Sequence, residues 1–293
     1  MHSPKIIFDL IRSHDINLFT GVPDSLLKDF CAFVTDSTSK EQHIIAANEG
    51  NAIAIAAGHY LGTGQPALVY MQNSGIGNAV NPLLSLADSE VYSLPMLLMI
   101  GWRGEPGVID EPQHVKQGRI MTSLMDSLEI PWYKLSSDTE RPSDLINKAI
   151  TQMKDIKAPV ALLVSKGTFE KYILKQDNPA KFQMSREQAI KNIVEHLDDS
   201  DLIVSTTGMT SRELYEHRAQ AQQGHSNDFL TVGSMGHTAS IALGLAQTQI
   251  ERKIFCIDGD GSVLMHMGAL GVVGSSGNKN IIHILINNGV HDS

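Results

Sequence analysis

Two short runs near the C-terminus carry residue types that can grip a metal-bound diphosphate. Asp258-Gly259-Asp260-Gly261-Ser262 follows one apolar, β-rich run, and Asn287-Asn288-Gly289 follows another. Gly259 and Gly261 let backbone N–H groups approach phosphate oxygens with no Cβ in the way. Asp260 supplies a hard carboxylate oxygen. An Asn amide oxygen and a backbone carbonyl from the second run can add two more, and Mg²⁺ prefers an oxygen shell shared with phosphates. A helix expected after Ser262 would aim the positive end of its dipole at the same place. Read singly, each run is an ordinary turn. Together, each at the end of a strand, they read as a Mg²⁺–diphosphate site.

Three further runs extend this chemistry. Glu49 stands between an apolar run, His43–Ala47, and an Ala-rich helical segment, in Asn48-Glu49-Gly50-Asn51-Ala52. A glutamate there either favours the helix N-terminus or acts as an acid–base group. Gly233-Ser234-Met235-Gly236-His237 and Thr206-Thr207-Gly208 each follow a strand-like run.

The Gly-Asp-Gly and Asn-Asn pair, with Glu49, resembles the signature of the thiamine-diphosphate (ThDP) enzymes. The resemblance implies ThDP and Mg²⁺ as cofactors. It makes Asp260, Asn288 and the Val290 carbonyl the metal ligands, with Asn287 the alternative in the adjoining register. It places Gly259, Gly261, Ser262, Thr207, Gly208, Gly233 and Ser234 around the cofactor. Met235 becomes the apolar wedge between the cofactor rings, and Glu49 the carboxyl that meets the aminopyrimidine. Gly21-Val22-Pro23-Asp24-Ser25, Gln72-Asn73-Ser74-Gly75, Trp102-Arg103-Gly104-Glu105-Pro106-Gly107, Asp110-Glu111-Pro112-Gln113-His114 and His291-Asp292-Ser293 resemble a narrower group, the phosphonopyruvate and sulfopyruvate decarboxylases. That resemblance implies a small anionic 2-keto acid substrate, His114 as an active-site histidine, and Asp24, Ser25, Asn73, Arg103 and His291 as substrate contacts. It also implies a homo-oligomer, a dimer or larger. Read without it, Arg103 is a solvated charge, Asp24 a helix cap and His114 a structural histidine. His266 and His283 lie in apolar periodic segments and read as packing residues.

The elements that must position these groups are legible as alternating β-rich and helical runs. Ser3-Pro4 suits a helix start. Strands are expected at Asn17–Thr20, His43–Ala46, Ala67–Met71, Met96–Ile100, Trp132–Leu135 and Val160–Val164, with helices such as Glu49–Leu61 and Pro142–Met153 between them. After a polar stretch, Lys175 to Gln183, Ser185 and Gln188 form a capping-box pattern. Strands then recur at Leu202–Ser205, Phe229–Val232, Ile254–Ile257 and Ile281–Ile286. Near-continuous apolar strands alternating with helices predict α/β architecture: two doubly wound parallel-sheet domains. By the resemblance they are of the ThDP-binding type, residues 1–176 for the pyrimidine and 184–293 for the diphosphate and Mg²⁺. The C-terminal domain is expected to be truncated, because its last strand candidate ends close to Ser293.

The chain has 293 residues, 42% hydrophobic and 19% charged, with net charge −9 and no basic run. That argues against a nucleic-acid partner. No apolar stretch is long enough for a transmembrane helix. Met1–Arg12 lacks a signal-peptide pattern, so the expected location is the cytoplasm. Cys31 and Cys256 are far apart in apolar segments and read as buried free thiols.

Overall fold

The expected alternation is present in a computed structural model, which describes residues 1–175 and 182–289. The chain divides into two units, Met1–Asp177 and Asn178–Asp292. The expected linker from Lys175 to Gln183 falls mostly outside the described residues.

The first unit holds strands β1 (Phe19–Gly21), β2 (His43–Ile45), β3 (Leu68–Gln72), β4 (Leu97–Gly101), β5 (Trp132–Leu135) and β6 (Val160–Val164). They form one parallel sheet in the order β2-β1-β3-β4-β6-β5. Alternate side chains leave opposite faces of a strand, and here both faces are covered. Leu68, Tyr70, Leu97, Met99, Val160 and Leu162 pack on one face. There they meet helices α1 (Pro4–Arg12), α2 (Lys28–Ser37) and α6 (Pro142–Ile156), through Ile7, Phe30 and Ile150 among others. Val69, Met71, Leu98, Ile100, Ala161 and Leu163 pack on the other. They meet α3 (Glu49–Thr63), α4 (Ile76–Pro82) and α5 (Pro112–Ser127), through Ala52, Ile53, Ile76 and Met121. This two-sided burial is why β3, β4 and β6 read as continuous apolar runs.

The second unit holds β7 (Leu202–Ser205), β8 (Asp228–Leu230), β9 (Ile254–Gly259) and β10 (Ile281–Ile286), parallel in the order β10-β9-β7-β8. Helices α7 (Arg186–Val194) and α8 (Met209–Gln220) pack on Ile203 and Ile257. Helices α9 (Thr238–Thr248) and α11 (Gly268–Ser275) pack on Val204, Ile254 and Cys256, while the short α10 (Asp260–Met265) follows β9. Among the described residues this sheet has four strands.

Local chemistry sets the ends of these elements. Asn48 caps α3 by accepting the Asn51 N–H at 2.9 Å, and Gly64, at φ 72°, ends it in the left-handed region. The capping box of Ser185 and Gln188 is formed in both directions. Ser3 occupies the N-cap of α1 but makes no side-chain cap bond, so Pro4 alone carries that start. Several strand ends differ from expectation by one or two residues, among them β3 (Leu68–Gln72), β4 (Leu97–Gly101) and β9, which runs on to Gly259. β1 runs Phe19–Gly21 rather than from Asn17, and β8 runs Asp228–Leu230 rather than to Val232. After Leu230 the Thr231 N–H and hydroxyl both turn to the Ser205 carbonyl, which ends the ladder. The helix expected after Ser262 begins earlier, at Asp260, and contains Ser262.

Candidate active site

In the first unit the singled-out residues gather at the C-terminal ends of parallel strands, where open α/β sheets bind ligands. Glu49, the first residue of α3, is 4% exposed. Asn78 of α4 donates to Glu49 Oε2 at 2.8 Å. Burial raises the Glu49 pKa above the usual carboxylate value, against the opposing pull of the Asn78 bond. Gly75 makes the space: a Cβ there would lie 2.0 Å from Glu49 Oε1. The Gln72-Asn73-Ser74-Gly75 run is thus the floor beneath a buried acid.

Asp24 follows β1 and is 1% exposed. It accepts from Gln72 Nε2 at 2.7 Å and from the Leu26 N–H at 3.1 Å. Burial raises its pKa, partly offset by these bonds and by Arg103. Its close neighbour is Gly101, where a Cβ would lie 2.0 Å from Asp24 Oδ2. The Asp24 side chain does accept a backbone N–H two residues on, but it also faces a second strand end.

Arg103 is not a solvated charge. Its Nε and Nη2 donate to the two Asp110 oxygens at 2.8 and 2.5 Å, and Nη1 donates to Ser25 Oγ at 3.0 Å. Asn73 brackets its backbone, donating to the Arg103 carbonyl at 2.9 Å and accepting its N–H at 3.1 Å. Asp110 also takes the Gly104 and Glu111 N–H groups, so its pKa is held well below the carboxylate range, chiefly by Arg103. The glycines of this run allow close packing. A Cβ at Gly104 would lie 2.0 Å from the His114 carbonyl, and one at Gly118 would lie 1.9 Å from the Gly104 carbonyl. His114, on α5, has a buried Nδ1 without a hydrogen-bond partner, and burial followed by Arg103 lowers its pKa.

In the second unit the two diphosphate-type runs meet. Asp260 Oδ2 accepts the Gly289 N–H at 2.9 Å, while Oδ1 accepts the Gly261 N–H at 2.9 Å. Asn287 Oδ1 accepts the same Gly289 N–H at 2.9 Å. Parallel pairing of β9 and β10 brings this about, since Ile286 is in register with Gly259. Two hard side-chain oxygens therefore lie around one backbone N–H, and oxygens of this kind are what Mg²⁺ takes. Asn288 lies next in the loop; Val290 and His291 lie outside the described residues. Near Gly259 the only atom close to an added Cβ would be Thr206 Cγ2 at 3.9 Å, leaving room for a phosphate. The Thr206 hydroxyl is buried and has no hydrogen-bond partner among the described residues. Gly208, which follows Thr207, stands at φ 90° and opens α8 without a side-chain cap, so the first N–H groups of that helix remain for an anion.

Met235 sits in a turn closed by the His237 N–H to the Ser234 carbonyl at 3.2 Å. Ser234 and Gly236 there have positive φ, 55° and 91°, and Gly233 precedes them. His266 packs against His237 at 4.6 Å between ring centroids rather than in a helix core.

Several residues had no role assigned from the sequence. Gln72, Asn78 and Asp110 hold Asp24, Glu49 and Arg103. Asp258 is buried beneath the loop that carries Asp260, with His283 Nε2 3.4 Å from its Oδ2. Burial pushes the Asp258 pKa up, but bonds from His283, Ser262 and the Gly259 N–H outweigh it and leave it lowered. His283 is therefore more than a packing residue. Cys256 lies with these two, their ligand atoms within 4.8 Å of one another, although Asp258 is already engaged by protein donors. Cys256 is buried and Cys31 partly exposed; both are free thiols.

A double-wound N-terminal sheet with a buried acid, and a C-terminal sheet with paired Asp and Asn oxygens, define a cofactor-dependent α/β enzyme. Residues 1–126 match the thiamine pyrophosphate enzyme N-terminal TPP binding domain, and residues 206–293 match the C-terminal TPP binding domain. The chain is 32% identical to a phosphonopyruvate decarboxylase of Streptomyces viridochromogenes, over 95% of this chain and 71% of that one. It is 27% identical to a sulfopyruvate decarboxylase of Methanosarcina acetivorans, over 98% of this chain and 76% of that one. It is 34% identical to the sulfopyruvate decarboxylase subunit alpha of Methanocaldococcus jannaschii, over 56% of this chain and 93% of that one. The chain belongs to the thiamine pyrophosphate enzyme family, whose cofactor is ThDP with Mg²⁺ the usual partner metal.

Proposed function

We propose that the protein decarboxylates phosphonopyruvate to phosphonoacetaldehyde and CO₂. The observation that carries this reading is the similarity to a phosphonopyruvate decarboxylase along 95% of the chain. Bound ThDP supplies the electron sink that lets a 2-keto acid lose CO₂. Asp260 and Asn288 or Asn287 would hold Mg²⁺, with the Val290 carbonyl, outside the described residues, as the third expected ligand, and the metal would neutralise the diphosphate. Thr207 and Gly208 offer backbone donors to its oxygens, while Gly259 and Gly261, whose N–H groups are donated to Asp258 and Asp260, line the same loop. Met235 and its flanking turn, Gly233 to His237, shape the apolar part of the cofactor pocket.

Glu49 acts on the aminopyrimidine. Its burial favours the protonated carboxyl, which would meet a ring nitrogen of the bound cofactor, and Asn78 fixes the orientation of the carboxyl. Asp24 and His114 are the proton-handling groups near the substrate, since burial draws the pKa of the acid upward and that of the histidine downward. Arg103 receives the anionic end of the substrate, with Ser25 and Asn73 beside it. Asp110 orients the guanidinium through one edge and leaves N–H groups on the other. The working protein is a homo-oligomer of at least two copies in the cytoplasm.

Sulfopyruvate is the alternative substrate, favoured by similarity to a sulfopyruvate decarboxylase over 98% of the chain. Comparing kcat/KM for the two keto acids with Mg²⁺ and ThDP present decides between them. At least tenfold preference for the phosphonate supports the first reading, and the reverse ratio establishes the alternative.

A further inference from the structure

Ser262 is 2% exposed, and both sides of its hydroxyl are engaged. Its oxygen accepts the Gly236 N–H at 3.1 Å. Its other hydrogen-bond partner is the Asp258 carboxyl group, also 2% exposed. His283 of β10 and the Gly259 N–H brace the same carboxylate at 3.4 and 3.1 Å. The contacts thus run from the turn that carries Met235, through Ser262, to the two strands whose ends carry Asp260 and Asn287. Position 236 admits only glycine: its φ is 91°, and a Cβ would lie 2.6 Å from His266 Cδ2. The Gly236 N–H is therefore a fixed feature of the turn, and Ser262 is what it rests on.

We propose that Ser262 is a positioning residue, whose hydroxyl, aligned by Asp258, sets the Met235 turn against the metal loop. The proposal rests on the reading of these loops as the ThDP site.

Calorimetric titration of the full chain with ThDP in Mg²⁺ tests this on Ser262→Ala, Met235→Ala and the double variant. Ser262→Ala is expected to weaken binding about tenfold, the scale of one lost buried hydrogen bond. In the Met235→Ala background the same change is expected to cost less than about threefold, because its effect passes through that side chain. Unchanged affinity in Ser262→Ala, or fully additive losses, would overturn the proposal. Amide hydrogen exchange on the cofactor-free wild type adds a measurement that needs no substitution. Slow exchange at Gly236, matching the strands of this unit, supports the strut, and exchange at the rate of an open turn refutes it. Wild-type protein that fails to bind ThDP would refute the site reading instead, while leaving the exchange result to judge the strut.

Discussion

At the level of single residues, Glu49 and Gly75 form one device. A buried carboxyl with a raised pKa is useful only if it is held in place, and the missing Cβ at Gly75 is what admits it. Glu49→Gln should lower kcat by at least about a hundredfold while changing ThDP affinity less than about threefold, measured by steady-state kinetics and calorimetry. Gly75→Ala, which leaves Glu49 itself intact, should lower kcat comparably, since the new methyl group displaces the carboxyl. Full activity in Gly75→Ala would show that Glu49 does not work from this position. Asp260→Ala should abolish Mg²⁺-dependent ThDP binding, and retained binding in that variant would rule out Asp260 as a metal ligand.

At the level of elements, the loop from Gly101 to the start of α5 is stabilised by one carboxylate. Asp110 accepts from Arg103 and two backbone N–H groups, and its pKa lies well below the ordinary carboxylate value. A depressed pKa contributes stability that is present above the unfolded-state pKa and lost as pH falls through the folded one. Asp110→Asn should therefore cost about 2 kcal/mol at pH 7, with the deficit shrinking in strong acid, as read by urea melts. His43 gives a further pH dependence. Burial lowers its pKa to about 4, and it bonds Tyr70 at 2.8 Å. Above about pH 6.5 it is neutral in both states, and between about 6.5 and about 4 only the unfolded chain takes up the proton. The first unit should lose about 2 kcal/mol of stability between pH 7.5 and pH 5 through this group, and His43→Gln should flatten that slope. Most of these elements were legible in the sequence, because strands buried on both faces, such as β3, β4 and β6, leave apolar runs that nothing else explains. The ends of β1 and β8 were not, because the Thr231 bonds to Ser205 depend on a neighbouring strand. The roles of Gln72, Asn78 and Asp258 were not legible because Asp24, Glu49 and His283 lie 48, 29 and 25 residues away, and that of Asp110 was not because its pairing with Arg103 across a loop follows no regular spacing.

At the level of the whole molecule, each unit carries one of the two TPP-binding halves of the family, so neither is expected to act alone. If the working protein is a homo-oligomer whose copies complement each other, inactive Glu49→Gln and Asp260→Ala chains mixed and reassembled should recover about a quarter of wild-type activity. No recovery would argue against complementation between copies. Among the described residues no helix is long and apolar enough to cross a membrane. The small anionic substrate proposed here agrees with a chain whose net charge of −9 leaves anion recognition to local groups such as Arg103.

The most direct measurement is phosphorus NMR of the purified chain with phosphonopyruvate, Mg²⁺ and ThDP, beside the same mixture in EDTA. Conversion of the substrate resonance to that of phosphonoacetaldehyde is expected in the first tube alone. Folded protein that binds Mg²⁺ and ThDP yet leaves phosphonopyruvate untouched would contradict the proposed function.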